Sequence, residues 1–176
     1  MCLRKYPSRA TRPEPKEKSI QPADLAELAS ALGVDLDSIK ASATIDVGAV
    51  WMTLQLSDAD EVLNLRPDMA KLSALIPSGV TGVTVFGMIS DNTGADIEVR
   101  SFAPTEGINE DPVCGSGDGC VAILVKELGL IRKPSYVASQ GRCVGRNGRV
   151  EVRFADDGKI LIGGHAVTCI EGIIKI

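Results

Sequence analysis

The residues of this 176-residue chain that could do chemistry are concentrated in one stretch, RSFAPTEGINEDPVCGSGDGC, running from Arg100 to Cys120. Gly115 and Gly117 flank Ser116 where a loop gives way to a strongly apolar helical run. The first amides of a helix have no partner within it, and with the helix dipole they form a ready anion site. Glycine at that place removes the Cβ and lets a ligand approach the backbone. The amides near Gly115, Ser116 and Gly117, with the Ser116 hydroxyl as another donor, are candidate contacts for a substrate carboxylate. The same pattern also serves a plain helix start, with Ser116 as N-cap and the glycines making a tight turn.

Glu110 and Asp111 stand just upstream. A carboxylate beside an anion site repels the anion unless it handles a proton or accepts a bond from a substrate amine or hydroxyl. Acids in loops also serve simply as solvated groups. Pro112 fixes the backbone after Asp111, which makes Asp111 the more constrained of the two. Cys114 immediately precedes the helix. That environment lowers a thiol pKa and favours thiolate, and a positioned thiolate removes a proton from carbon. The alternative for Cys114 is a small buried hydrophobe. Cys120 faces the packed helix and reads as core. His165 follows Gly163 and Gly164 with nothing near it in sequence to pair with, which is the pattern of a structural or surface histidine.

The elements that must position these residues follow from periodicity. A helix runs from Ser116 to Leu128 and stops at Gly129. It is apolar nearly all round, so the rest of the fold should surround it. Pro22 opens an earlier helix with Leu25, Leu28, Ala29 and Leu32 at helical spacing and Gly33 as its stop. A short helix starts at Pro67 and runs through Leu75. Ile45–Leu56 reads as one strand with Gly48 inside it, and Val80–Ile89 as another. Ile97 and Val99 alternate with Glu98 and Arg100, the signature of a half-buried strand. Ala103 to Gly115 is a loop long enough to be functional. Val150, Val152 and Phe154, then Ile160–Ile162, then Ala166–Ile176, complete the strands. The expected class is α+β: a mixed, strongly curved β-sheet wrapped around a central buried helix.

Composition sets the limits. Hydrophobic residues are 44% of the chain and aromatics 3%, so a core is affordable and must be mostly aliphatic. The net charge of −4 gives no electrostatic reason to expect nucleic acid. No apolar run has membrane-spanning length, and the N-terminus lacks a secretory stretch. Five cysteines, an odd number at wide spacing, do not form a disulfide framework, and a single histidine without a C-x-x-C pair argues against a metal site. The expected location is a reducing cytoplasm. Residues 1–19, rich in Arg, Lys and Pro, read as an extended basic segment or linker remnant, and residues 20–176 as a single domain.

The residues together resemble a known family. Arg100-Ser-Phe-Ala-Pro, Gly107-Ile-Asn-Glu-Asp-Pro and Cys114-Gly-Ser are similar to the RxFxPxxGxxEDPxTGSA signature of PhzF-type (phenazine-biosynthesis-like) isomerases. Gln140-Gly141 with Gly145-Arg146-Asn-Gly-Arg-Val, and Gly163-Gly164-His165-Ala-Val, resemble later segments of that family. Ala31-Leu-Gly, Asp46-Val-Gly48, Leu65-Arg-Pro-Asp68 and Tyr6-Pro-Ser-Arg9 fit its order upstream. The resemblance implies one half, the C-terminal one, of a diaminopimelate-epimerase-like fold, in which two such domains close over a small substrate with both central helices pointing their N-termini into the cleft. It also implies that Gly115 and Ser116 hold a carboxylate and that Asp111 bonds a polar group of the substrate. Cys114 stands where the family's threonine is usual. Its Cys-Gly-Ser-Gly context is similar to the catalytic thiol motif of diaminopimelate epimerases and proline racemases.

The resulting expectation is an isomerase or epimerase domain that moves a proton on a small carboxylate-bearing metabolite without a cofactor, with Asp111 and Cys114 as its catalytic candidates. Segments matching the family's first domain, which carries its catalytic glutamate, are not found in this sequence. A second wall is therefore expected from a homodimer partner or a separate N-terminal-domain chain. The competing expectations are a non-catalytic truncated homologue that binds a small anion or a partner protein, and a fragment with no independent role.

Overall fold

The computed structural model describes residues 16–91, 94–165 and 169–174. The end of the basic segment forms a short edge strand, β1 (Lys16–Lys18). In α1 (Pro22–Leu32) the proline sits in the first turn, and Gly33 closes the helix in the left-handed region at φ +77°, its amide donating to the Ala29 and Ser30 carbonyls. The expected strand across Ile45–Leu56 is instead a hairpin of β2 (Ala41–Asp46) and β3 (Val50–Gln55). Gly48 lies in its turn at φ +102°, and the Asp46 carboxylate accepts the Gly48 amide at 2.8 Å. The β-branched run continues through that turn, so periodicity alone hides the break.

Two short helices follow, each capped by an aspartate. Asp58 accepts the Glu61 amide at the head of α2 (Ala59–Asn64). Asp68 accepts the Ala70 and Lys71 amides at the head of α3 (Met69–Leu75), which therefore begins two residues after Pro67 and not at it. The remaining elements are β4 (Gly82–Met88), β5 (Ile97–Ala103), β6 (Ile108–Asp111), α4 (Gly115–Glu127), β7 (Ser135–Gln140), β8 (Gly148–Phe154) and β9 (Ile160–Gly164). The class is α+β, with one mixed sheet in the order β1-β2-β3-β4-β5-β7-β8-β9; β6 pairs with the far half of β5. Pairings β3–β4 and β5–β7 are parallel and the others antiparallel.

Alternation along the strands sends side chains into two cores. Ile97 and Val99 of β5, Trp51 of β3 and Phe86 of β4 pack with Cys120, Val121, Ala122 and Val125 of α4. Val83, Val85, Met52, Leu54 and Phe102 pack on the other face against Leu28, Leu32, Val62 and Leu72 of α1–α3 and Leu65 just after α2. The α4 helix is buried from Gly117 through Val125, as its apolar circumference requires, and touches β2, β3 and β4 on one side and β8 and β9 on the other. Because β5 has paired strands on both sides and cores on both faces, it is buried throughout, Glu98 and Arg100 included, and is not the half-buried strand that alternation predicts. Of the strand expected over Ala166–Ile176, residues 169–174 are exposed and form no strand, and residues 166–168 and 175–176 lie outside the described residues. Among the described residues no helix is long and apolar enough to cross a membrane.

Candidate active site

The segment from β6 to α4 is held from below by one side chain. Gln140, at the end of β7 and fully buried, accepts the Cys114 amide on Oε1 at 3.0 Å and donates from Nε2 to the Asp111 carbonyl at 3.0 Å. A buried amide with both ends used in this way fixes the loop against the sheet. Glycine does the same from the side. A Cβ at Gly141 would stand 2.6 Å from the Pro112 carbonyl oxygen, and one at Gly148 would stand 2.6 Å from a Val113 methyl. The expected loop from Ala103 to Gly115 is thus largely structured: a 3-10 turn at Pro104–Glu106, then β6 paired to β5.

The two acids separate. Glu110 forms a two-pronged bond with Arg100, at 3.1 and 2.7 Å, and both side chains are buried. Arg100 also donates to the Val62 and Leu65 carbonyls at 3.1 Å, so Glu110 is committed to the structure under α2. Asp111 remains half-buried beside the helix start, and its Oδ1 accepts the Val113 amide at 3.0 Å.

The N-cap of α4 is Cys114, not Ser116, and the helix begins at Gly115. The Cys114 sulfur accepts the Gly117 amide at 3.4 Å. Gly117 is buried: a Cβ there would stand 2.8 Å from Ser101 Oγ, 3.1 Å from Cys114 Sγ and 3.3 Å from Thr84 Oγ1. Its amide is therefore internal to the fold. The amides of Gly115 and Ser116 have no recorded acceptor among the described residues, and Gly115 is exposed with open space where a Cβ would be. Trp51 Nε1 donates to Ser116 Oγ at 3.0 Å. An indole N–H only donates, so Ser116 is held as acceptor there and its own proton is free to point elsewhere. The Cys114 sulfur lies 3.7 Å from that hydroxyl.

The electrostatics reverse one expectation. Burial raises the Cys114 pKa; the Gly117 amide and Ser116 hydroxyl pull it down, and the charges of Asp111 and Asp118 push it up again, with a net rise. The thiol form is favoured, because the helix-end effect is outweighed by desolvation and two carboxylates. Asp118, one turn into α4, is 1% exposed, and neither of its carboxyl oxygens has a hydrogen-bond partner among the described residues. Burial, with the Asp111 charge adding to it, raises its pKa to about 7. Cys120 is fully buried and its pKa is raised to about 12, as a core cysteine's would be. His165 is exposed just beyond β9.

Asp111, Cys114, Gly115 and Ser116 are thus brought to one place, with Gly117 beneath them. Trp51, Gln140 and Asp118 were not singled out as functional by the residue pattern. Asp118 had a legible signal, a carboxylate inside an apolar helix. Trp51 had none, because its partner is 65 residues away.

The sequence matches the phenazine biosynthesis-like protein family (PhzC-PhzF) over residues 6–172. It is 36% identical to Antisense-enhancing sequence 1 of Schizosaccharomyces pombe over 90% of this chain and 56% of that protein. It is 34% identical to the uncharacterized isomerase C186.06 of the same organism over 93% of this chain and 94% of that one. A solved structure described as a predicted epimerase, PA4716 of Pseudomonas aeruginosa, superposes with a TM-score of 0.67 at 25% identity, covering 86% of this chain and 52% of that one. The chain spans about half the length of most of the curated relatives it matches.

Proposed function

The chain belongs to the phenazine biosynthesis-like protein family, and we propose that it forms the C-terminal half of that family's two-part, diaminopimelate-epimerase-like fold and supplies one wall of a proton-transfer site for a small carboxylate-bearing metabolite. The relatives named as isomerases and the structure named as an epimerase support this class of reaction. The sheet curls around α4 as such a half requires. Six strand spacings separate β2 from β9, about 29 Å if flat, yet both touch the same helix. At Gly119, Val47 from the β2–β3 turn and Ile162 of β9 are both within 4 Å of where a Cβ would stand.

The observation that carries the proposal is the convergence at the head of α4: two outward amides at Gly115 and Ser116, a capping thiol at Cys114 and the Asp111 carboxylate beside them. The amides hold the substrate carboxylate. Asp111 accepts a bond from its amine or hydroxyl, and Cys114 exchanges a proton with it. No cofactor takes part. The facing wall, from a second copy of the chain or a separate N-terminal-domain partner, supplies the opposing acid or base and excludes water.

Solvent-deuterium incorporation into a panel of small amino and hydroxy acids and dihydro-hydroxyanthranilate tests the proposal, run with the chain alone and with a separately expressed first half taken from a full-length relative. Exchange that requires the added half and is lost in Cys114→Ala or Asp111→Asn supports it. Tight binding of the same acids without exchange under any condition replaces it with a non-catalytic anion-binding role.

A further inference from the structure

We infer that Asp118, one helical turn away, joins Asp111 in opposing the ionisation of Cys114 and keeping it a thiol above neutral pH, so that on this wall Cys114 gives a proton and does not take one. The catalytic part of this statement rests on the function proposed above; the ionic part does not. Cys114 is the N-cap of α4, and the Asp118 amide donates to the Cys114 carbonyl at 2.9 Å, so the two residues stand one turn apart on the helix. Both are buried, at 5% and 1% exposure, so little water screens one from the other. The Asp118 carboxyl has no hydrogen-bond donor among the described residues to hold it as an anion.

The titratable groups facing Asp118 are Asp111 at the end of β6, Cys114 on its own helix and Tyr136 on β7. The Tyr136 hydroxyl is likewise buried without a partner, and its ionisation is pushed up by burial first and then by Asp118 and Asp96. Among the described residues no cation stands in this group. The ionisations of Asp118 and Cys114 are therefore coupled: once the carboxylate forms, the thiolate is opposed by its like charge, which adds to that of Asp111. That opposition lowers the thiolate fraction severalfold. In the reaction, the S–H bond breaks, its proton passes to the electron pair on the substrate carbon, and sulfur keeps the bonding pair as thiolate. The proton first removed from the substrate goes to a base on the facing wall, and proton exchange with water resets the thiol.

The test is the iodoacetamide alkylation rate of Cys114 in the full chain, read by peptide-level mass spectrometry from pH 5.5 to 9.5, in the parent and in Asp118→Asn. At pH 8.5 the variant is expected to react severalfold faster. At pH 5.5, where Asp118 is neutral in the parent, the two rates should converge. A rate ratio that is the same at both ends, or no acceleration at high pH, overturns the inference. If the variant does not fold, the parent decides alone. A Cys114 profile that flattens near pH 7, where Asp118 ionises, and rises again at higher pH supports it, and a single-midpoint profile overturns it. None of these readouts depends on turnover, so a failure here is distinguishable from a failure of the proposed reaction.

Discussion

Replacing Asp118 by asparagine should stabilise the protein at high pH and do progressively less as the pH falls. The carboxyl is 1% exposed with neither oxygen partnered among the described residues, and its pKa rises from 3.8 to about 7 on folding. The folded state therefore binds more protons than the unfolded state between about pH 4 and pH 7, and stability falls as pH rises through that window. A difference of a little over three pK units corresponds to about 4 kcal/mol once both states are ionised. Asparagine has nearly the same shape and does not titrate. Urea unfolding followed by far-UV circular dichroism should give a variant more stable than the parent by about 4 kcal/mol at pH 8 and by about 1 kcal/mol at pH 4.5. Equal differences at the two pH values would show instead that Asp118 finds a donor or water in the folded protein.

Gly117→Ala should destabilise by about 1–3 kcal/mol, although alanine ordinarily favours a helix, because its Cβ would meet Ser101 Oγ at 2.8 Å and the Cys114 sulfur at 3.1 Å; thermal unfolding reads this directly. Glu110→Ala should cost about 3–5 kcal/mol by leaving the Arg100 guanidinium buried without its carboxylate, whereas Asp111→Asn, beside the helix start, should leave chemical unfolding within about 1 kcal/mol of the parent. Calorimetric titration with a small acid should find binding weakened by Asp111→Asn and Ser116→Ala; equal affinities in both variants and the parent would remove these residues from the site.

The central helix was legible in the sequence because its apolar circumference admits one environment, and the site loop because Glu110, Asp111, Pro112, Cys114 and Gly115 form a specific run. The hairpin at Gly48 was not, since Val47 and Ala49 continue the strand pattern through the turn. Nor was β7, whose residues gave no alternation that stands apart from the preceding loop. Ser116 as N-cap, one of the two readings of the pattern, is set aside because the helix begins at Gly115, which puts Cys114 at the cap and Ser116 inside the first turn with its hydroxyl on Trp51. Which of the two readings of Cys114 holds was not legible either. A helix-end position is visible in sequence, whereas burial and the approach of Asp111 and Asp118 exist only after folding.

The most direct test of the account is a two-dimensional amide NMR titration of the ¹⁵N-labelled chain with a small carboxylate, at constant pH and ionic strength. Saturable shifts are expected, largest at the Gly115 and Ser116 amides, with the Gly117 and Cys114 amides, already bonded inside the fold, moving little. Saturable shifts centred elsewhere, or none at Gly115 and Ser116 at millimolar ligand, would contradict it.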